Sequence, residues 1–133
     1  MKASHFYFRV LVVEDEILIR KYVILLLESL GCSIVGETAY AEKAISLARE
    51  KSPELVLMDI RLKGNMDGIE AAKVIGSHSN AAILFMSAYD YQKQVEDQKI
   101  PNILGYLKKP LEDYELEPYL KRLAQKNAAA NKI

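Results

Sequence analysis

The feature that most constrains this chain is a set of short apolar runs, each stopped by a polar or charged residue. Residues 10–13 lead into Glu14 and Asp15, residues 55–58 into Asp59, and residues 83–86 into Ser87. A further run through Tyr106 and Leu107 leads to Lys109 and Pro110. Continuous runs of this length suit strands buried on both faces, the condition of a parallel sheet. In open parallel sheets, functional groups gather at the carboxyl ends of the strands. Three acids, a hydroxyl and a lysine at that edge suit a divalent cation and a phosphoryl group.

Helical patterns separate the runs. Strands are expected at residues 8–13, 33–36, 55–58, 82–86 and 102–107, with helices at about 16–30, 39–51, 68–75, 90–99 and 113–126. In the first helix Ile19, Val23, Leu26, Leu27 and Leu30 recur at helical spacing and give a core face, and Gly31 stops it. Thr38 is the expected cap of the second helix, whose core positions are Ala44, Ile45 and Ala48, and Asp67 is the expected cap of the third. Pro118 is tolerable only near a first turn, so the last helix starts no earlier than Asp113. Five β-α units without repeats or linkers predict one doubly wound α/β domain over residues 1–126, with a tail at 127–133.

Composition narrows the classes. Eighteen basic residues balance eighteen acidic ones, so no global field draws the chain to nucleic acid or an anionic membrane. Cys32 is the only cysteine, which excludes an internal disulfide and fits a reducing compartment. The richest apolar stretch, residues 17–30, is broken by Arg20, Lys21 and Glu28, and the opening residues lack a signal peptide's apolar region. A soluble cytoplasmic domain is the expectation. His5 and His78 lie far apart in the pattern, and neither is assigned to a metal.

Taken alone, Glu14 and Asp15 read first as the acidic start of a helix, Ser87 as a turn residue and Lys109-Pro110 as a strand-to-loop junction. Asp59 directly after a buried strand is harder to dismiss, and all four features fall at strand ends. Converging carboxylates repel one another unless a cation neutralises them. Oxygen-only ligands without a nearby histidine or cysteine point to Mg²⁺.

With these motifs the chain resembles the response-regulator receiver domain (CheY-like) of two-component signalling. The likeness runs from about Phe8 to Leu123. It is carried by Val-Val-Glu-Asp-Glu, Leu-Val-Leu-Met-Asp-Ile, Met-Asp-Gly-Ile-Glu-Ala-Ala, Phe-Met-Ser-Ala and Gly-Tyr-Leu-Lys-Lys-Pro. The resemblance implies a flavodoxin-like three-layer sandwich with strand order 2-1-3-4-5. It implies that Asp59 accepts a phosphoryl group from a sensor histidine kinase or histidine phosphotransfer protein. Glu14, Asp15, Asp59 and the backbone carbonyl of Arg61 would hold Mg²⁺, Ser87 and Lys109 would bind phosphoryl oxygens, and Tyr106 would be the aromatic switch. A cis Lys109–Pro110 bond belongs to the same pattern. The fourth helix, fifth strand and fifth helix would form the face for dimerisation or partner binding, and the first helix would dock on the kinase. Leu18, Tyr22 and Leu25 on an adjoining face of that helix suit such docking, or else lie under a neighbouring helix.

The chain departs from the commoner family pattern in having Glu14 where an aspartate is frequent, and in a loop one residue longer between Asp59 and Asp67. Bulky Arg61 and Tyr89 occupy positions that tune dephosphorylation in the family. The resemblance implies a signalling domain, not a turnover enzyme. A haloacid-dehalogenase-type phosphohydrolase would need an acid where Arg61 stands, and a substrate cap for which 133 residues leave little space. A degenerate receiver serving only for binding or dimerisation would not need Asp15, Asp59, Ser87 and Lys109 all intact.

Overall fold

The computed structural model describes residues 5–130. Five strands and five helices alternate: β1 (Arg9–Val13), α1 (Ile17–Ser29), β2 (Ser33–Thr38), α2 (Ala41–Lys51), β3 (Leu55–Asp59), α3 (Gly68–His78), β4 (Ala82–Ser87), α4 (Gln92–Asp97), β5 (Ile103–Lys108) and α5 (Asp113–Ala130). All strand pairs are parallel, and the order is β2-β1-β3-β4-β5, as the resemblance implied.

The sheet separates two cores, and alternate residues of each central strand feed one or the other. Val10, Val12, Leu55, Leu57, Leu84 and Met86 pack with α1 and α5. Leu11, Val13, Val56, Met58, Ile83 and Phe85 pack with α2, α3 and α4. A strand covered on both faces has no solvent side, which is why these runs are apolar throughout. The chain leaves β1 for one edge and returns to β3 beside it, so the reversal of strand order lies between β1 and β3. That crevice is where open α/β sheets place their ligands.

Both edge strands are irregular. The β1–β2 register skips Val35, and the β4–β5 register skips Leu104. At β5 the outward carbonyls are taken by α5: Arg122 donates to Leu104 O at 3.0 Å, and the Tyr119 hydroxyl donates to Tyr106 O at 3.4 Å. The Arg122 guanidinium also lies 5.1 Å from the centre of the Tyr119 ring. Gly105 is glycine because a methyl group there would overlap that ring.

Several expectations are corrected. Thr38 ends β2 instead of capping α2: its hydroxyl accepts from Tyr40 N at 3.2 Å, and Tyr40 is the cap residue without a side-chain bond. The fourth helix is only six residues long. Its polar sequence buries a single side chain, Val95, so little packing extends it. The last helix runs through 127–130, residues expected in the tail, because Ala128, Ala129 and Ala130 are strong helix formers. The last three residues of that expected tail lie outside the described ones. Pro118 sits in the second turn of α5, not the first. Asp67 caps α3 as expected, in a reciprocal capping box with Glu70. No helix among the described residues is long and apolar enough to cross a membrane.

Gly105→Ala is expected to destabilise the fold by about 1–3 kcal/mol through overpacking against Tyr119. Pairing it with Tyr119→Leu should recover much of the loss. Urea unfolding of the three proteins checks this, and equal losses in the single and double variants would contradict it.

Candidate functional site

The β1–β3 register pairs Val13 with Met58, so Glu14 and Asp59 are the next pair across the crevice. By strand alternation both continue the rows of Val12 and Leu57. They are nonetheless 0% and 2% exposed, at a depth where a lone charge is not tolerated. Asp15 is half-buried beside them, and one carboxylate oxygen from each of the three acids falls within a 4.8 Å cluster.

Lys109 answers this charge. Its Nζ is 2.7 Å from Glu14 Oε1 and 3.2 Å from Asp59 Oδ2. The Lys109 amide donates to Ser87 O at 2.9 Å, which carries the β4–β5 pairing one residue past the strand. The Lys109–Pro110 peptide is cis. Ser87 is buried, and its Oγ accepts from Tyr89 N at 3.1 Å, leaving the hydroxyl proton available to another acceptor. Asp15, Asp59, Arg61, Ser87 and Lys109 line one pocket of 420 Å³, with Glu14 beneath its floor. The predicted residues therefore meet.

Burial is the main cause that raises the Asp59 carboxyl, the Glu14 charge adds to it, and Lys109 offsets only part; the result is a pKa of about 7. For Lys109, burial disfavours the ammonium, but the hydrogen bond and charges of Glu14 and Asp59 outweigh it and its pKa is raised. Glu14 does more than the resemblance implied. Its Oε2 accepts from Glu16 N at 3.0 Å, while Oε1 meets the Lys109 ammonium at 2.7 Å. A buried carboxylate oxygen so placed, in an all-oxygen cluster, fits a hard divalent cation.

Around the mouth, the Arg61 guanidinium lies 5.0 Å from the centre of the Tyr89 ring, and Tyr89 meets Tyr91 edge-on at 6.5 Å. Tyr106 stacks on Phe85 with centroids 6.2 Å apart. Tyr106, Ser87, Tyr89 and Tyr91 line a second pocket of 250 Å³. The larger 670 Å³ cleft between Arg49, His78 and Asn127 lies at the opposite end of the sheet and holds none of these groups.

Two residues escaped the sequence reading. Gly68 lets α3 start against the end of β3, since a Cβ there would collide with the Asp59 carbonyl. The signal was present in the glycine that follows the Asp67 cap. Arg20 reads in sequence only as a charge interrupting an apolar helix, yet it donates to Glu14 O at 2.6 Å and to Glu37 at 2.9 Å. Cys32 is buried and its thiol is pushed up to about 11, mainly by burial, so it is no reactive handle. His5 and His78 are exposed.

Comparisons with known proteins point to one family. A family model described as the response regulator receiver domain matches residues 10–121. The transcriptional regulatory protein PdtaR of Mycobacterium tuberculosis is 37% identical over 110 residues, covering 83% of this chain and 53% of the relative. The transcriptional regulatory protein BtsR of Salmonella typhi is 31% identical over 122 residues, covering 90% of this chain and 49% of the relative. The chain thus spans about half the length of the curated relatives it matches. Among solved structures, the signal receiver domain of a modulated diguanylate cyclase from Desulfovibrio desulfuricans superposes with a TM-score of 0.82 at 30% identity, covering 93% of this chain and 98% of that one. The receiver domain of PhyR from Erythrobacter litoralis gives 0.76 at 28% identity, covering 92% and 91%.

The raised Asp59 pKa sets a pH dependence. Between the ordinary carboxylate value of 3.8 and about 7, the folded protein holds a proton that the unfolded chain has released. Stability therefore falls as pH rises through that window. In chelator, Asp59→Asn is expected to melt above the unsubstituted protein at pH 8, with the gap closing toward pH 4. A gap that does not vary with pH would contradict the assignment.

Proposed function

Since the chain belongs to the response-regulator receiver family, we propose that Asp59 accepts a phosphoryl group from a phosphohistidine of a sensor kinase or phosphotransfer protein. The observation that carries this reading is Lys109 suspended between Glu14 and Asp59 at the mouthward end of the sheet. A carboxylate oxygen of Asp59 bonds to phosphorus as the P–N bond breaks, and the bonding pair leaves with the imidazole. The nucleophile and the phosphoryl group are both anionic, so the chain's task is positioning and charge stabilisation.

Each residue then has one part. Lys109 Nζ follows the charge from the carboxylates to the phosphoryl oxygens, and Ser87 donates its free hydroxyl proton to one of them. Glu14, Asp15, Asp59 and the Arg61 backbone carbonyl would hold Mg²⁺, which when bound neutralises charge between the carboxylate and the phosphoryl group. Movement of Ser87 toward the new anion frees space in the 250 Å³ pocket, into which the Tyr106 ring turns. That shift selects between two states that exist before phosphorylation. The chain is read as a signalling domain that promotes only its own phosphorylation and dephosphorylation.

The partner surface follows from exposure. On α1, Leu18 and Leu25 are 79% and 64% exposed, and Tyr22 is 42% exposed with its hydroxyl donating to Leu111 O at 3.0 Å. They offer the apolar face that a kinase's helical bundle would dock on. The face of α4, β5 and α5 is the one proposed for dimerisation or output. The Arg61–Tyr89 pair stands at the pocket mouth and would restrict the water that hydrolyses the acyl phosphate.

Incubation with acetyl phosphate and Mg²⁺ should add one phosphoryl mass to the intact protein, with no adduct in Asp59→Asn or in chelator. Absence of an adduct, from this donor and from a phosphorylated kinase, would favour a degenerate binding module. Arg61→Ala and Tyr89→Ala should each shorten the lifetime of the phosphorylated protein several-fold, read by loss of the adduct with time. Unchanged lifetimes would remove the pair from this role.

A further inference from the structure

Arg20 is the one basic side chain of α1 that turns back to the acidic loop. Its Nη1 donates to the carbonyl of Glu14 at 2.6 Å, and its Nε pairs with Glu37 Oε1 on β2 at 2.9 Å. Only 14% of the Arg20 side chain is exposed, although it sits among the partly exposed residues at the start of the helix. The carbonyl it holds belongs to the peptide that joins Glu14 to Asp15. Rotation of that peptide would swing the Asp15 side chain relative to Asp59, because its plane sets the direction in which the next residue leaves.

The rest of the loop gives no substitute. The Glu14 amide donates to Thr38 O at 3.0 Å, and the Glu14 side chain is held by Glu16 N and Lys109. Those bonds fix Glu14 itself. Of these only the Glu16 N bond spans the Glu14–Asp15 peptide, and it leaves that peptide's carbonyl to Arg20. A guanidinium suits the task because its planar fork can hold two acceptors in fixed directions, here a carbonyl and a carboxylate. Glu37 also balances the positive charge, which would otherwise stand near a site meant for cations.

We propose that Arg20, braced by Glu37, is a positioning residue that orients the Glu14–Asp15 peptide and so presets the cation site formed by Glu14, Asp15 and Asp59. The inference rests on the Mg²⁺ reading given above. Partners that orient ligands from outside the coordination shell are worth about tenfold or more in metal affinity.

The test is Mg²⁺ affinity by isothermal titration, with amide NMR shifts of Asp15 and Asp59 as a second readout and thermal melting as a control for folding. Arg20→Met should weaken Mg²⁺ binding by about tenfold. Arg20→Lys, which keeps one donor within reach of the carbonyl, should recover part of it. Glu37→Gln alters an exposed residue and needs no refolding of the core; it should weaken binding in the same direction by a smaller factor. If Arg20→Met fails to fold, Glu37→Gln and Arg20→Lys decide the matter. Affinities within twofold of the unsubstituted protein, whatever the melting temperatures, would overturn the proposal. If the unsubstituted protein itself shows no Mg²⁺ binding that Asp59→Asn removes, the metal reading fails instead, which is a separate result.

Discussion

Two carboxylates and one ammonium meet where β1, β3 and β5 end, and none of the three can be buried there without the others. Glu14 just past β1 and Asp59 at the end of β3 follow the Val13–Met58 pair, so parallel pairing brings like charges together. Without Lys109, two like charges would face each other at a depth where an unpaired charge is costly. The arrangement is therefore held together by the fold, and it is left electrostatically unfinished. A single ammonium cannot balance three acids, and burial together with the Glu14 charge raises the Asp59 carboxyl. A site in this condition gains from any added positive charge, and on the proposed function a bound cation would also prepare Asp59 for a phosphoryl donor.

The same constraint explains what could be read in the sequence. Buried strands must be apolar on both faces, so residues such as Val10, Leu57 and Leu84 gave away the sheet, and the groups stopping each run gave away its functional edge. Order and identity of the strand ends carried the site, since Asp59, Ser87 and Lys109 each occupy the first polar position or nearly so. What escaped was held by long-range geometry. Arg20 meets Glu37 only after β2 has folded back beside β1, and no local pattern announces that meeting. The ion pair from Lys109 to Glu14 joins residues 95 positions apart in the chain. Helix ends escaped for a different reason. Thr38 has the chemistry of a cap, yet strand pairing with Val13 claims it first, and its hydroxyl settles for a turn. The alanines after Lys126 have too little side chain to show a periodic face, so their helical preference went unread.

The arrangement around Ser87 shows how small a displacement would be needed to change the surface. Its hydroxyl accepts from Tyr89 N, the Tyr89 ring lies under Arg61 and meets Tyr91, and Tyr91 is the cap residue before α4. That helix is six residues long with one buried side chain, flanked at Lys99 and Asn102 by backbone in the left-handed region. Elements with few buried contacts open at low free-energy cost. On the proposed function, a shift of Ser87 would reach this weakly anchored helix through Tyr89 and Tyr91.

The treatment of the two outer strands sets how this molecule can live beside its neighbours. One edge is interrupted at Val35; at the other, two side chains of the final helix occupy the outward carbonyls of β5. Backbone that is bent or already engaged recruits no stranger's strand. Crowded together, copies of this domain would be steered toward contacts between side chains. Contacts of that kind can be made and undone by a single change of charge, whereas merged sheets could not.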